Sequence, residues 1–204
     1  MNMNNKYYNY TRLFIIVSLL ILTLTNDAKS VIWQSRNAPT GGYTGELIYT
    51  DGGLFSNAYG SGIYLSTDDG DSWILVSENI PDLKLATSLD FDDSYIYAGT
   101  LFGTIYRSSI NSISWQMIHN GISESGNQLI INKLSVQPSG VYACTNKGLF
   151  RTTDYGNSWL ELPATGINQD IADVVEYNNR LYIINGGGTV VMNINGSDWS
   201  EVRI

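Results

Sequence analysis

The segments Gly62-Ile63-Tyr64-Leu65-Ser66-Thr67-Asp68-Asp69-Gly70-Asp71-Ser72-Trp73 and Gly148-Leu149-Phe150-Arg151-Thr152-Thr153-Asp154-Tyr155-Gly156-Asn157-Ser158-Trp159 share one frame. Each reads glycine, a run of mainly apolar residues, Ser or Thr, x, Asp, x, Gly, x, Ser, Trp. Before Trp115 the frame decays: Ser108 and Ser114 remain, while Ile110 replaces Asp and Ser112 replaces Gly. Before Trp199, Gly196 remains and Ile194 replaces Asp. The five tryptophans are Trp33, Trp73, Trp115, Trp159 and Trp199, spaced 40, 42, 44 and 40 residues apart. So even an interval marks an internal repeat.

A second signature recurs upstream in each unit. Tyr95-Ile96-Tyr97-Ala98-Gly99-Thr100, Val141-Tyr142-Ala143-Cys144-Thr145 and Leu181-Tyr182-Ile183-Ile184-Asn185 each follow a short polar turn. Shorter apolar runs, Ala86–Phe91 and Ile131–Val136, precede those turns. Each unit therefore reads as three strands joined by turns, then an Asp-containing turn and a Trp-led strand. Four antiparallel strands in about 40–45 residues match a propeller blade. No sustained 3.6-residue apolar pattern occurs outside the N-terminal segment, which excludes helical solenoids. The expected fold is all-β: a β-propeller of about four four-stranded antiparallel blades over residues 31–204.

The two intact boxes resemble the Asp box, or BNR repeat. The unit is similar to blades of sialidases, of some glycan-cleaving enzymes and of photosystem II assembly factor-like propellers. In that family the box is the turn between the third and fourth strands. The residues suit that role. Gly70 and Gly156 can take positive φ. Asp68 and Asp154 can accept backbone N–H bonds inside the turn. Ser66, Ser72, Thr152 and Ser158 can satisfy further backbone groups, and Trp73 and Trp159 can bury a large ring between or beneath blades. Asp68, Asp69 and Asp71 crowd together, but the loop ligands of a calcium site are absent, so a structural turn is favoured over a metal site.

The resemblance implies fold more than function, because such boxes occur in propellers with unrelated tasks. Sialidases of this family carry three substrate-gripping arginines, a Tyr/Glu pair, an acid/base Asp and an Arg-Ile-Pro type motif. That motif is missing here. Beyond residue 30 the arginines are Arg36, Arg107, Arg151, Arg180 and Arg203. Arg107 and Arg151 occupy one repeat position, which reads as a blade-surface feature. Glu46, Asp51, Asp90, Asp92 and Asp93 are weak candidates for a two-carboxylate glycosidase, and solvated turns and strand ends are their simpler role. His119 has no partner constellation, Cys144 lacks a base, and Gly186-Gly187-Gly188 lacks the strand–helix setting of a phosphate loop. Tyrosines follow strand alternation and read mainly as sheet packing. No catalytic, cofactor-binding or metal-ligating residue is assigned, and no cofactor is expected.

Residues 1–30 have the layout of a secretory signal peptide. Lys6 and Arg12 lead into the apolar run Leu13 to Leu24, and small residues Ala28 and Ser30 follow. Cleavage is expected after Ser30, giving a secreted, periplasmic or cell-surface protein with no stable transmembrane helix. An uncleaved N-terminal anchor is the alternative, although the run is short for a bilayer. The formal charge is −8, with 11 basic and 19 acidic residues, which disfavours nucleic acid. The leading expectation is a non-catalytic module that binds or scaffolds a protein or glycan. The alternative is an incomplete carbohydrate-active enzyme of the sialidase or glycoside hydrolase type.

Strand counting leaves the Trp33 strand without a strand set. Three arrangements satisfy the count: a chain cut from a larger propeller, a closed four-bladed ring with residues 31–36 as an extra strand, or a ring completed by partner chains through open sheet edges. The first is favoured, because propellers of this family usually have six or more blades.

Overall fold

Residues 39, 44–122, 129–163, 170–185, 188–193 and 199–202 are described by a computed structural model. The expected signal segment and the Trp33 strand lie outside the described residues. Among the described residues, sixteen strands form four sheets of four. Blade 1 holds β1 (Thr44–Thr50), β2 (Gly53–Ala58), β3 (Gly62–Ser66) and β4 (Ile74–Leu75). Blade 2 holds β5 (Ala86–Phe91), β6 (Tyr95–Thr100), β7 (Ile105–Ser109) and β8 (Gln116–Met117). Blade 3 holds β9 (Ile131–Gln137), β10 (Gly140–Thr145), β11 (Gly148–Thr152) and β12 (Leu160–Leu162). Blade 4 holds β13 (Ile171–Tyr177), β14 (Arg180–Asn185), β15 (Gly188–Asn193) and β16 (Trp199–Val202).

Every sheet is an antiparallel meander in chain order. The expected all-β architecture of four-stranded propeller blades is therefore the observed one. The first strand of each blade is innermost. β1 packs on β5, β5 on β9 and β9 on β13. No comparable packing joins β13 back to β1 among the described residues. One feature absent from the sequence reading is a 3-10 turn, Pro81–Leu85, between blades 1 and 2. Pro81 opens it with a preset φ and Leu83 is fully buried beneath it.

Strand alternation gives each blade two faces, and both faces are apolar at the three internal junctions. Calling the side toward the next blade the forward face, Phe55, Ile63 and Leu65 of blade 1 meet Leu89, Ile96, Ala98 and Tyr106 on the rear face of blade 2. Tyr97 and Ile105 of blade 2 meet Leu134, Val141, Ala143 and Phe150 of blade 3. Tyr142, Cys144 and Leu149 of blade 3 meet Ile171, Val174, Leu181 and Ile183 of blade 4. The hydrophobic core is thus three sandwiched layers. Each large apolar side chain buried there contributes about 1.5–3 kcal/mol.

The tryptophans connect blades by a second route. The Trp115 indole N–H donates to the Val76 carbonyl of blade 1 at 3.0 Å. The Trp159 indole N–H donates to the Ile118 carbonyl of blade 2 at 2.5 Å. In both cases the acceptor lies three residues past the preceding tryptophan, at the end of the outer strand. Among the described residues, the buried indole N–H of Trp73 has no acceptor.

Candidate binding surface

The two Asp turns share one geometry. Asp69 and Gly70 have φ of 56° and 87°, and Tyr155 and Gly156 have 59° and 87°. Paired positive φ at the two central residues is the signature of a primed turn, and the glycine makes it accessible. The Asp68 carboxylate accepts from the Ser66 hydroxyl at 2.8 Å, the Ser72 amide at 2.8 Å and the Ser72 hydroxyl at 2.5 Å. Asp154 accepts from the Thr152 hydroxyl at 2.6 Å, the Ser158 amide at 2.9 Å and the Ser158 hydroxyl at 2.6 Å. The Ser66 and Thr152 hydroxyl oxygens in turn accept the Gly70 and Gly156 amides, each at 2.9 Å. Hydrogen bonds from the Ser72 and Ser158 hydroxyls lead the effects that hold both carboxyls down at about 2. Trp159 is buried at the junction of blades 2 and 3.

The carboxylates weighed as glycosidase candidates have other partners. Glu46 on β1 accepts from the Leu89 amide and the Ser88 hydroxyl of β5, and pairs with Lys133 of β9. Asp90 on β5 accepts from the Val136 amide of β9 at 2.7 Å and the Phe91 amide at 2.8 Å. Burial nevertheless raises the Asp90 pKa, outweighing those bonds. Asp92 accepts from the Ser94 and Tyr95 amides and from the Tyr97 hydroxyl. Asp51 sits in the turn between β1 and β2 and Asp93 in the turn between β5 and β6.

These contacts follow a rule that the sequence reading missed. Inner strands of adjacent blades do not pair by backbone, so their facing edges need other partners. Side chains supply them. Glu46 caps Leu89 and the Ser88 hydroxyl oxygen accepts the Leu134 amide at 3.0 Å. Gln137 accepts the Glu176 amide at 2.9 Å. Thr87 and Asn132, at one repeat position, donate to the carbonyls of Ile131 and Ile171. Burial opposes the charge on Lys133, but the Glu46 hydrogen bond and the nearby Asp173 and Asp90 carboxylates outweigh it and raise its pKa.

Arg107 and Arg151 also act within the framework. The Arg151 guanidinium donates to the Ser139 carbonyl, at 3.1 Å from Nε and 2.5 Å from Nη2. Arg107 crosses from blade 2 to donate to the Tyr155 carbonyl at 2.5 Å, with its guanidinium 4.6 Å from the Tyr95 ring centre. Tyr95 and Tyr155 are tilted against each other, 5.6 Å apart. Cys144 is fully buried between blades 3 and 4, and burial pushes its thiol pKa well up. A thiol held in that form is a poor nucleophile.

Beside this Tyr-Arg-Tyr group lies a mixed polar and apolar cleft of about 260 Å³, walled by Asp92, Pro138, Ser139, Thr153 and Tyr155. It collects the turns after β5, β9 and β11 from one end of the blades. Tyr155 is exposed at its rim. An equivalent cleft in blade 1 has Asp69 where blade 3 has Tyr155. The described residues thus present an aromatic edge beside polar groups, an arrangement able to stack on a sugar ring or a peptide side chain.

No protein-family model and no curated protein matches the chain. Solved structures do. An ancestral GH74 enzyme superposes with a TM-score of 0.67 at 18% identity, over 83% of this chain and 27% of that one. The extracellular domain of a hybrid two-component system from B. thetaiotaomicron gives 0.70 at 16% identity, over 84% and 23%. YCF48 bound to a D1 peptide gives 0.60 at 15% identity, over 84% and 57%. The chain spans about half of the designed protein Ika8, at 51%. At these identities the likeness establishes the propeller fold alone.

Proposed function

We propose that this chain is an exported Asp-box propeller of the BNR type that binds a protein or glycan without transforming it. The observation that carries this reading is the commitment of Glu46 and Asp90, the inner-strand carboxylates, to amides of the next blade. A general acid or nucleophile must instead face the substrate. The cleft beside Tyr155 is the contact surface, with Tyr155 and Tyr95 as stacking groups and Arg107 holding both. Support for a binding role also comes from similar structures seen with a peptide, or in a nidogen/laminin complex. Export rests on the segment 1–30, and an N-terminus at residue 31 in the mass spectrum of the exported protein is the expected result.

The test pairs turnover with binding. The chain is assayed on a fluorogenic sialoside and a plant-polysaccharide panel, and its binding to the same glycans and to a peptide array is measured. Binding without turnover is expected, and Tyr155→Ala is expected to weaken it about five- to tenfold, the scale of one aromatic contact. Turnover above background would reverse the reading in favour of an incomplete carbohydrate-active enzyme, the alternative that the similarity to GH74 folds keeps in view.

A further inference from the structure

Resting on the reading of the Tyr155 cleft as the contact surface, we infer that its occupant is a basic segment of another protein, which places a lysine or arginine side chain in the cleft. In a four-stranded meander the turns after the first and third strands fall at one end and the turn after the second strand at the other. The first of these ends is acidic. Its turns carry Asp51, Asp68, Asp69 and Asp71 in blade 1. Blade 2 adds Asp92 and Asp93, and blade 3 adds Asp154. The described turns at this end hold no lysine or arginine. The partners of Asp68, Asp92 and Asp154 are hydroxyls and amides, which leave the negative charge in place. Arg107 and Arg151 reach this end from β7 and β11 and offset part of that charge. At the opposite end, among the described residues, Lys84 and Lys147 nearly balance Glu78, Asp82 and Asp170.

The cleft has the lining that such a side chain needs. Lysine and arginine carry a cation on an apolar stem. Val136, Pro138 and Val141 supply apolar wall and Asp92 a carboxylate, around about 260 Å³. The rim adds an aromatic ring. At this end the chain twice sets a guanidinium over a tyrosine: Arg107 lies 4.6 Å from the Tyr95 ring centre and Arg151 lies 5.8 Å from that of Tyr142. Tyr155 is 54% exposed, and among the described residues no cation lies over its ring. An open ring face beside carboxylates attracts a cation through both. The equivalent cleft of blade 1, about 250 Å³, sets Leu54 beside Asp51 and Asp69 and offers a place for a second basic side chain of the same partner. A neutral sugar gains nothing from these carboxylates, and an acidic one is repelled.

The full chain is titrated, by fluorescence anisotropy, against a labelled Gly/Ser peptide bearing spaced arginines and against counterparts with glutamine or glutamate in those places. The arginine peptide is expected to bind at least about tenfold more tightly than the glutamine peptide, and to weaken severalfold between about 20 and 300 mM salt. Asp69→Asn with Asp93→Asn removes two exposed charges, and asparagine tolerates the positive φ of position 69. This pair is expected to weaken the arginine peptide about three- to tenfold with an unchanged melting temperature. Glu78→Gln with Glu161→Gln removes the same charge elsewhere on the surface and is expected to change the affinity by less than about twofold. Tyr155→Ala is expected to weaken the arginine peptide as well. An arginine peptide that binds no better than the glutamine peptide overturns the inference, and so do equal losses in the two double variants. If binding of the glutamine peptide or of a neutral glycan is then weakened by Tyr155→Ala, the cleft stands as a contact surface for an uncharged ligand. Arginine-peptide binding that falls with Asp69 and Asp93 but is indifferent to Tyr155→Ala overturns the cleft itself as the contact surface.

Discussion

At the scale of the residue, the Asp turns are bound by hydrogen bonds rather than by burial. The carboxyls of Asp68 and Asp154 titrate near 2 instead of their ordinary 3.8. A folded-state value below the unfolded one means that the stabilisation is complete above 3.8 and is lost as pH falls through about 2. Asp68→Asn with Asp154→Asn is therefore expected to lower the denaturation midpoint at neutral pH and to flatten its fall between pH 3.8 and 2, as followed by circular dichroism. Gly156 separates conformation from space. At Gly60, φ is 89° and an added Cβ meets nothing within 4 Å, whereas at Gly156 φ is 87° and Cβ would lie 2.3 Å from Ile118 Cδ1. Gly60→Ala should cost about 1 kcal/mol and Gly156→Ala about 1–3 kcal/mol, compared by urea denaturation. The glycines were legible in the sequence, but the positive φ of Asp69 and Tyr155 was not, since any residue type satisfies an x in the frame.

At the scale of the element, the strands that were easiest to read are the first and second of a blade. β5, β6, β9, β10 and β14 carry the β-branched and aromatic runs that announced them. The outer strands β4 and β8 have two residues each, too short to leave a periodic trace. The 3-10 turn at Pro81–Leu85 escaped notice for the same reason. The ties between inner strands were hidden because Ser88 and Leu134 lie 46 residues apart. Only Thr87 and Asn132, polar at one repeat position, offered a signal. Ser88→Ala should leave the Leu134 amide unpaired in a buried edge and cost about 1–3 kcal/mol. Leu134→Ala opens the layer between blades 2 and 3 and should cost about 2–5 kcal/mol. Denaturant midpoints of the two variants decide both.

At the scale of the whole molecule, packing follows chain order, blade on blade, in the manner of a one-dimensional array. The Glu46–Lys133 pair is the described contact that skips a blade, joining the first to the third. Stability in such an array declines toward uncovered ends. Hydrogen exchange is expected to be slowest in β6 and β10, between covered layers, and faster in β14. Uniform protection across these three strands would show that the end blade is as firmly held as the middle ones. The tryptophan period made the number of blades legible. It was silent on the exposure of Val175, Tyr177 and Ile184, because exposure depends on what stands beside a blade and not on the blade's own pattern.

Cys144 turns this arrangement into a clock. It is the chain's sole sulfhydryl and lies, fully buried, in the seam between blades 3 and 4. A colorimetric disulfide reagent can reach it only when that seam parts. The rate of colour release from the unmodified protein therefore counts seam openings directly, with no label to introduce and no second site to subtract. A ligand that grips blades 3 and 4 together would slow the count, and one that wedges them apart would speed it.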